Sequence, residues 1–236
     1  VAPTAHYAMG GVHFDPPTGE TSVGGLYVVG ESTAGVHGAN RLGGNSLAET
    51  VSIGKLVGEH VASQEPEPPE DDAPELEHGA EEEFERLRSK VEADGTEDVE
   101  EVIEDLGVMM EDCAGIRRTD ERLTEGLERL EGIRERAERL DIEGGITSLD
   151  FELAVDLEFM TVAAEAVLRG ARERTESRGA HYRDEYPEAS PDWRANILYS
   201  HEDDGMSLRR IEPGEPSEAV QKALDEKHEM EYHHLE

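Results

Sequence analysis

The sequence predicts an α+β chain: a small glycine-rich part holding a hairpin, a short strand and a helix, then an α-helical bundle and an irregular C-terminal region. Three observations lead there. Glycine is frequent and charge modest up to about residue 63, after which charged segments dominate. Short apolar runs bounded by glycines precede that change, and four stretches with apolar residues at helical intervals follow it. Between them stands "EPEPPEDD", Glu65 to Asp72, a linker composition. The expected division is 1–63, an acidic Pro/Glu linker 64–74, a helical domain 75–178, and an irregular region with a charged tail 179–236.

In the first part, "GVHFDPPTGETSV" reads as a strand, a Pro-Thr-Gly turn and a return strand. "GGLYVVGES" reads as a short buried strand, apolar throughout. From Ser46, "SLAETVSIGKLVGEHVA" places Leu47, Val51, Leu56 and Val57 roughly on one face. Ser46 with Glu49 three residues on is a capping-box pair, which predicts a helix starting at the serine.

The helical stretches are marked by Phe84, Leu87 and Val91; by Val99, Val102, Ile103, Leu106, Met109 and Met110; by Leu123, Leu127, Leu130, Ile133, Ala137 and Leu140; and by Leu149 to Leu168, capped by Thr147 or Ser148. Such stripes face a core, so they predict a bundle without a cofactor box. After Gly179 the turn residues of "YPEASPDW" predict irregular structure, then a charged helical tail.

Fifty-seven acidic against 22 basic residues give a formal net charge of -35, which argues against nucleic acid or an anionic lipid surface as a partner. Lysine occurs only at positions 55, 90, 222 and 227, and this acidic, lysine-poor composition resembles adaptation to high intracellular salt. No stretch is long and apolar enough to span a bilayer, and the single Cys113 cannot form an internal disulfide.

Three places carry candidate chemistry. In "VHGANRLGGNSLAET", Val36 to Thr50, glycines at 38, 43 and 44 allow close backbone approach, and a helix beginning at Ser46 aims free N–H groups at whatever sits there. Arg41 between them has the fork geometry for a carboxylate; the plain alternative is a turn with a surface arginine. In "PTAHYAMGGV", His6 precedes a glycine pair, and a hydrogen-bonded structural histidine is the alternative. Glu31 ends the apolar strand, where ligand contacts or a plain capping carboxylate both fit. Outside these, the tail "HEMEYHHLE" places His228 and His233 five apart, which is not zinc-protease spacing.

In this order, "PTAHYAMGGV", "GLYVVGE", "GVHGANRLGGNSL" and the later "ESRGAHYRDEYPE", Glu176 to Glu188, the segments resemble the flavoprotein subunit of succinate dehydrogenase and fumarate reductase. The resemblance implies that the first part is the C-terminal remnant of an FAD-binding α/β domain. It implicates His6 and Arg41 in binding a dicarboxylate, and Glu31, Ser46 and Leu47 in contacting FAD. It further implies FAD-dependent interconversion of succinate and fumarate, with electrons passed to an iron-sulfur subunit. Membrane-anchor subunits would hold the complex at the cytoplasmic face of the cell membrane. Arg178 and His181 of "ESRGAH" are expected to tie the helical domain to the flavin domain.

The pattern departs from the family in one respect. No two glycines stand at i and i+2, so the G-x-G-x-x-G dinucleotide fingerprint is absent, as are the proton-shuttling arginine and the histidine that carries covalent flavin in many relatives. The expectation is a C-terminal portion that by itself retains no FAD and oxidises no succinate; an absorbance spectrum of the purified chain checks this, and bound flavin would contradict it. Aspartate oxidase, with a similar "HGANR" but typically "ASNSL" where Gly43 to Leu47 read "GGNSL", is the rival enzyme. A non-catalytic helical interaction fragment is the rival of a different class.

Overall fold

The structure is a computed structural model that describes residues 6–64, 73–202 and 205–225. The linker stretch Glu65 to Asp72 and the tail histidines His228 and His233 lie outside the described residues.

Helix α1 spans Asn45–Ser63, α2 Ala73–Glu92, α3 Val99–Ala114, α4 Asp120–Ala137, α5 Leu149–Glu173 and α6 Glu218–Asp225, with strands β1 (Asn196–Glu202) and β2 (Gly205–Ile211) between α5 and α6. The cores of α3, α4 and α5 pack on one another. Val102, Met109, Leu123, Leu130, Leu157 and Leu168 are almost fully buried, and Leu140 and Ile142 of the α4–α5 connection close one end. A Cβ at Gly126 would press on Leu168 Cδ2 at 2.6 Å and Cys113 Cβ at 2.8 Å, so the bare backbone of α4 lets the three helices close up.

Each bundle helix starts on a side-chain cap. Asp98 accepts from the Glu101 N–H at 3.0 Å, Thr119 from Arg122 and Ser148 from Phe151, both at 3.2 Å. Ser148, rather than Thr147, therefore opens α5.

Helix α2 differs from its neighbours. Phe84 is exposed, and only Val91 near its end packs against the core. Instead Arg86 (3.0 Å) and Lys90 both pair with Glu158 of α5. Leu76, Phe84, Leu87 and Val91 recur at helical intervals, but of the described side chains only Val91 is packed into the core, so α2 lies at the edge of a three-helix bundle rather than inside a four-helix one.

The first part folds as turns and single bridges. The Asp15 N–H donates to the Glu20 carbonyl at 2.9 Å across the Pro-Pro-Thr-Gly turn, and a second reversal pairs Glu20 with Tyr27. Val12 bridges in parallel to Thr33. "GLYVV" is not a regular buried strand: Val28 is buried while Leu26 and Val29 are exposed, because its pairing among the described residues is the single Glu20–Tyr27 bridge and no sheet covers it. Helix α1 likewise buries only Glu49 and Val57; Leu47, Val51 and Leu56 are exposed.

The region after Gly179 is less irregular than its turn residues suggest. Strands β1 and β2 form an antiparallel pair in register from Asn196↔Ile211 to Glu202↔Gly205, and the Tyr199 hydroxyl on β1 donates to the Ala166 carbonyl of α5 at 2.8 Å. The signal was present as "NILYSHEDDGMSLRRI", two β-prone runs around an Asp-Gly.

Candidate functional site

Three segments meet near the start of α1: residues 6–12, the turn Gly30–Ser32, and the loop 36–44. Their contacts are mostly backbone. The Val12 N–H donates to the Ser32 carbonyl at 2.8 Å and the Ala34 N–H to the Val12 carbonyl at 3.0 Å. Glu31 Oε1 accepts the Ala8 N–H at 2.7 Å, so this exposed carboxylate anchors the segment that begins with His6. His6 itself is exposed.

Arg41 is half-buried. Its Cζ lies 5.0 Å from the centroid of the Tyr7 ring, and Nη1 donates to the Leu42 carbonyl at 3.3 Å. Its Nε is buried without a hydrogen-bond partner. The Tyr7 hydroxyl in turn donates to Glu49 Oε2 at 3.1 Å, with His37 Nε2 at 3.3 Å from the same hydroxyl. Burial, then the hydrogen bond and charge of Glu49, raise the Tyr7 phenol above its ordinary range, which keeps it a proton donor. The structure thus brings Arg41 next to Tyr7, the neighbour of His6, and adds Tyr7, His37 and Glu49, the last of which the sequence offered only as a capping-box partner of Ser46.

Helix α1 begins at Asn45, one residue before the expected start. Gly44 is its N-cap at φ 83°, and no side chain caps it. The capping box is therefore not formed: Glu49 turns inward to Tyr7 instead of reaching back to Ser46. Ser46 and Leu47 stand in the first turn, whose N–H groups lack intrahelical acceptors, and Leu47 is 75% exposed.

A fourth segment braces this loop from the helical part. Arg178 and His181 exchange backbone hydrogen bonds at 2.8 and 3.0 Å around Gly179 and Ala180, a tight turn whose Ala180 N–H donates to the Ala39 carbonyl at 3.1 Å. Gly179 sits at φ 58°, and any Cβ there would collide with the same carbonyl. The tie between the two parts is thus the backbone of Gly179 and Ala180. Arg178 and His181 act one step back, by building the turn.

Both are held in a dense charged network. Arg178 grips both oxygens of Glu176 at 2.8 and 2.9 Å, Arg174 Nη1 donates to it at 2.7 Å, and the Ser190 N–H at 2.7 Å. Burial would raise the Glu176 pKa, but these donors outweigh it and hold the carboxylate at about 2. His181 accepts from Arg118 at Nδ1 (2.9 Å) and its Nε2–H donates to the Arg174 carbonyl at 3.2 Å. Burial pushes its pKa down to about 4, so the imidazole is neutral near pH 7.

Comparison with known proteins adds the following. A family model described as the fumarate reductase flavoprotein C-term matches residues 103–229, and one described as an FAD binding domain matches residues 1–47. A fumarate reductase flavoprotein subunit from Serratia is 37% identical over 186 residues, 78% of this chain and 31% of that protein. The fumarate reductase flavoprotein subunit of Haemophilus influenzae is 34% identical over 191 residues, 80% of this chain and 32% of that protein. A solved variant of the E. coli quinol fumarate reductase FrdA superposes with a TM-score of 0.81 at 34% identity, covering 92% of this chain and 38% of that one. The chain spans about a third of the length of these relatives.

Proposed function

This chain belongs to the flavoprotein-subunit family of succinate dehydrogenase and fumarate reductase, and from that premise we propose that residues 6–47 form one wall of a site that interconverts succinate and fumarate. FAD is the cofactor. The observation that carries the reading is Arg41: a half-buried guanidinium with an unpartnered Nε, stacked on the residue next to His6. A surface arginine in a plain turn would direct its donors to water.

The residues present fit FAD. The first turn of α1 is uncapped by any side chain, Gly43 and Gly44 face open space, and Leu47 is bare. A helix N-terminus of this kind favours the negative charge that a reduced flavin carries at its pyrimidine end. Ser46 and Leu47 would hold that end, and Glu31 would hold the cofactor while anchoring Ala8. When bound, FAD supplies hydride acceptance and return.

The chain's own residues do the positioning. Arg41 clamps one carboxylate of the substrate through paired charge-assisted hydrogen bonds. His6, two residues from the Ala8 N–H that Glu31 anchors, donates to another oxygen of the substrate. The glycines of the loop let substrate and cofactor approach the backbone. Electrons leave for an iron-sulfur subunit held by membrane-anchor subunits at the cytoplasmic face of the membrane. Among the described residues no helix is long and apolar enough to cross a membrane.

The test uses the complete flavoprotein that contains this segment, assayed with succinate and with fumarate. Arg41→Lys keeps the charge but loses the two-pronged contact, so KM for the dicarboxylate is expected to rise about 30-fold or more, on the order of 2 kcal/mol. An unchanged KM, or faster turnover of aspartate than of succinate by the unsubstituted protein, would overturn the reading.

A further inference from the structure

Glu49 is the one charged residue that α1 buries. A carboxyl group on the inward face of a helix costs free energy unless its oxygens are used. Glu176 shows what full use looks like, with donors from Arg174, Arg178 and the Ser190 N–H on its two oxygens. Glu49 is engaged differently. Oε2 accepts the Tyr7 hydroxyl at 3.1 Å and, at the limit of 3.5 Å, the Thr50 hydroxyl, and lies 4.0 Å from His37 Nε2, whereas Oε1 is buried with no partner among the described residues.

What Glu49 holds is Tyr7, and what Tyr7 holds is Arg41. The Tyr7 ring is met edge-on by His37, with centroids 5.2 Å apart and planes at 76°, and the Arg41 guanidinium lies over it at 5.0 Å. Within the protein the guanidinium has only a 3.3 Å hydrogen bond to the adjacent Leu42 carbonyl, and its Nε is orphaned. Among the described residues the ring and this one long hydrogen bond are what set the direction in which Arg41 reaches. A stack over an aromatic face is worth about 0.5–2 kcal/mol, enough to aim a side chain but lost if the ring swings.

We propose that Glu49 is a positioning residue of the dicarboxylate site: by holding the Tyr7 hydroxyl it fixes the aromatic platform on which Arg41 lies, and so aims the clamp. The inference rests on Arg41 being that clamp. In this role Glu49 acts through Tyr7 and Arg41 and needs no contact with substrate or cofactor. Its effect therefore passes through binding that is the same in ground and transition states, and it belongs in KM rather than kcat.

The experiment is steady-state kinetics on the complete FAD-loaded flavoprotein with fumarate and succinate, using Tyr7→Phe, Glu49→Ala, their double variant, Glu49→Gln and Arg41→Lys. Tyr7→Phe and Glu49→Ala should each raise KM about tenfold with kcat within about twofold, and the double variant should be no worse than either, since both remove one contact. Glu49→Gln, whose amide oxygen still accepts the phenolic proton, should stay within about threefold of the parent. Multiplying effects in the double variant, a loss confined to kcat, or an unchanged KM in Glu49→Ala would overturn the proposal. If Glu49→Ala yields no folded flavoprotein, Tyr7→Phe and Glu49→Gln carry the same decision, because Tyr7→Phe removes only the hydroxyl. Arg41→Lys separates the two levels. If it raises KM while the Tyr7 and Glu49 variants do not, only the positioning role fails; if it leaves KM unchanged, the dicarboxylate reading fails and takes the positioning role with it.

Discussion

Glu176→Ala is expected to destabilise the chain by about 3–5 kcal/mol, the cost of removing one partner from a buried charge cluster. The carboxylate has no exposed surface, and its loss leaves the Arg174 and Arg178 guanidiniums and the Ser190 N–H without their shared acceptor. Relief of the carboxylate's own desolvation works the other way. It is the smaller effect, because the two arginines stay where they are, held also by the Trp193, Ala195 and Ser190 carbonyls. Urea denaturation followed by helical circular dichroism, at high salt to screen the net charge of -35, gives the number. A change below about 1 kcal/mol would contradict the account.

The same variant should alter acid stability. The folded pKa of Glu176 is about 2, below its ordinary 4.5, so as pH falls the unfolded chain takes the proton first. The stability this carboxylate contributes is complete above about 4.5 and drains away between 4.5 and 2. His181 acts earlier: its folded pKa is about 4 against an ordinary 6.5, so its contribution is complete above 6.5 and is lost between 6.5 and 4. Glu176→Ala should shrink the decline below 4.5, a window that Glu97, Glu158 and Glu185 share because arginine and backbone donors lower their pKa values too, and His181→Asn should shrink the part between 6.5 and 4.

Gly179→Val is expected to act on both stability and the site. The residue sits at φ 58°, a conformation costly for a β-branched side chain, and its Cβ would strike the Ala39 carbonyl. Either the turn lifts off the loop or the loop moves, and the Ala180 to Ala39 hydrogen bond is lost in both cases. Strain and lost contact together should cost about 2–4 kcal/mol. Ala39 is two residues from Arg41, so the complete flavoprotein should also show a dicarboxylate KM raised by about tenfold or more, since small misplacement of a positioning group is amplified in catalysis. Gly179→Ala, strained at the same φ but smaller, should fall between the parent and Gly179→Val. An unchanged KM in Gly179→Val would mean that the brace does not bear on Arg41.

Much of the fold was legible because it depends on local chemistry. Asp98, Thr119 and Ser148 cap helices whose apolar residues recur every three or four positions, and each signal lies within a few residues of the element it sets. The β1–β2 pair was equally local, but the turn residues of "YPEASPDW" mask the Asp-Gly that follows. Helix α2 has helical spacing but too little apolar area, and spacing alone does not report how much of a stripe is covered. The candidate site was legible in its motif residues His6, Glu31 and Arg41. Its supporting residues were not: Glu49 fits a capping box three residues after Ser46, and only the approach of Tyr7, 42 positions away, turned it inward.

The sequence by itself determined the helices, the Ser148 cap and the family, because these follow from short-range periodicity and from motifs in fixed order. Only the tertiary structure decided what Arg41 rests on, why Glu49 is buried, and that the turn at Gly179 braces the loop beside Arg41. The physical reason is separation along the chain. Ala39 and Ala180 come together through one backbone hydrogen bond and a glycine without a Cβ, a contact that leaves a mark on neither local sequence except the glycine itself.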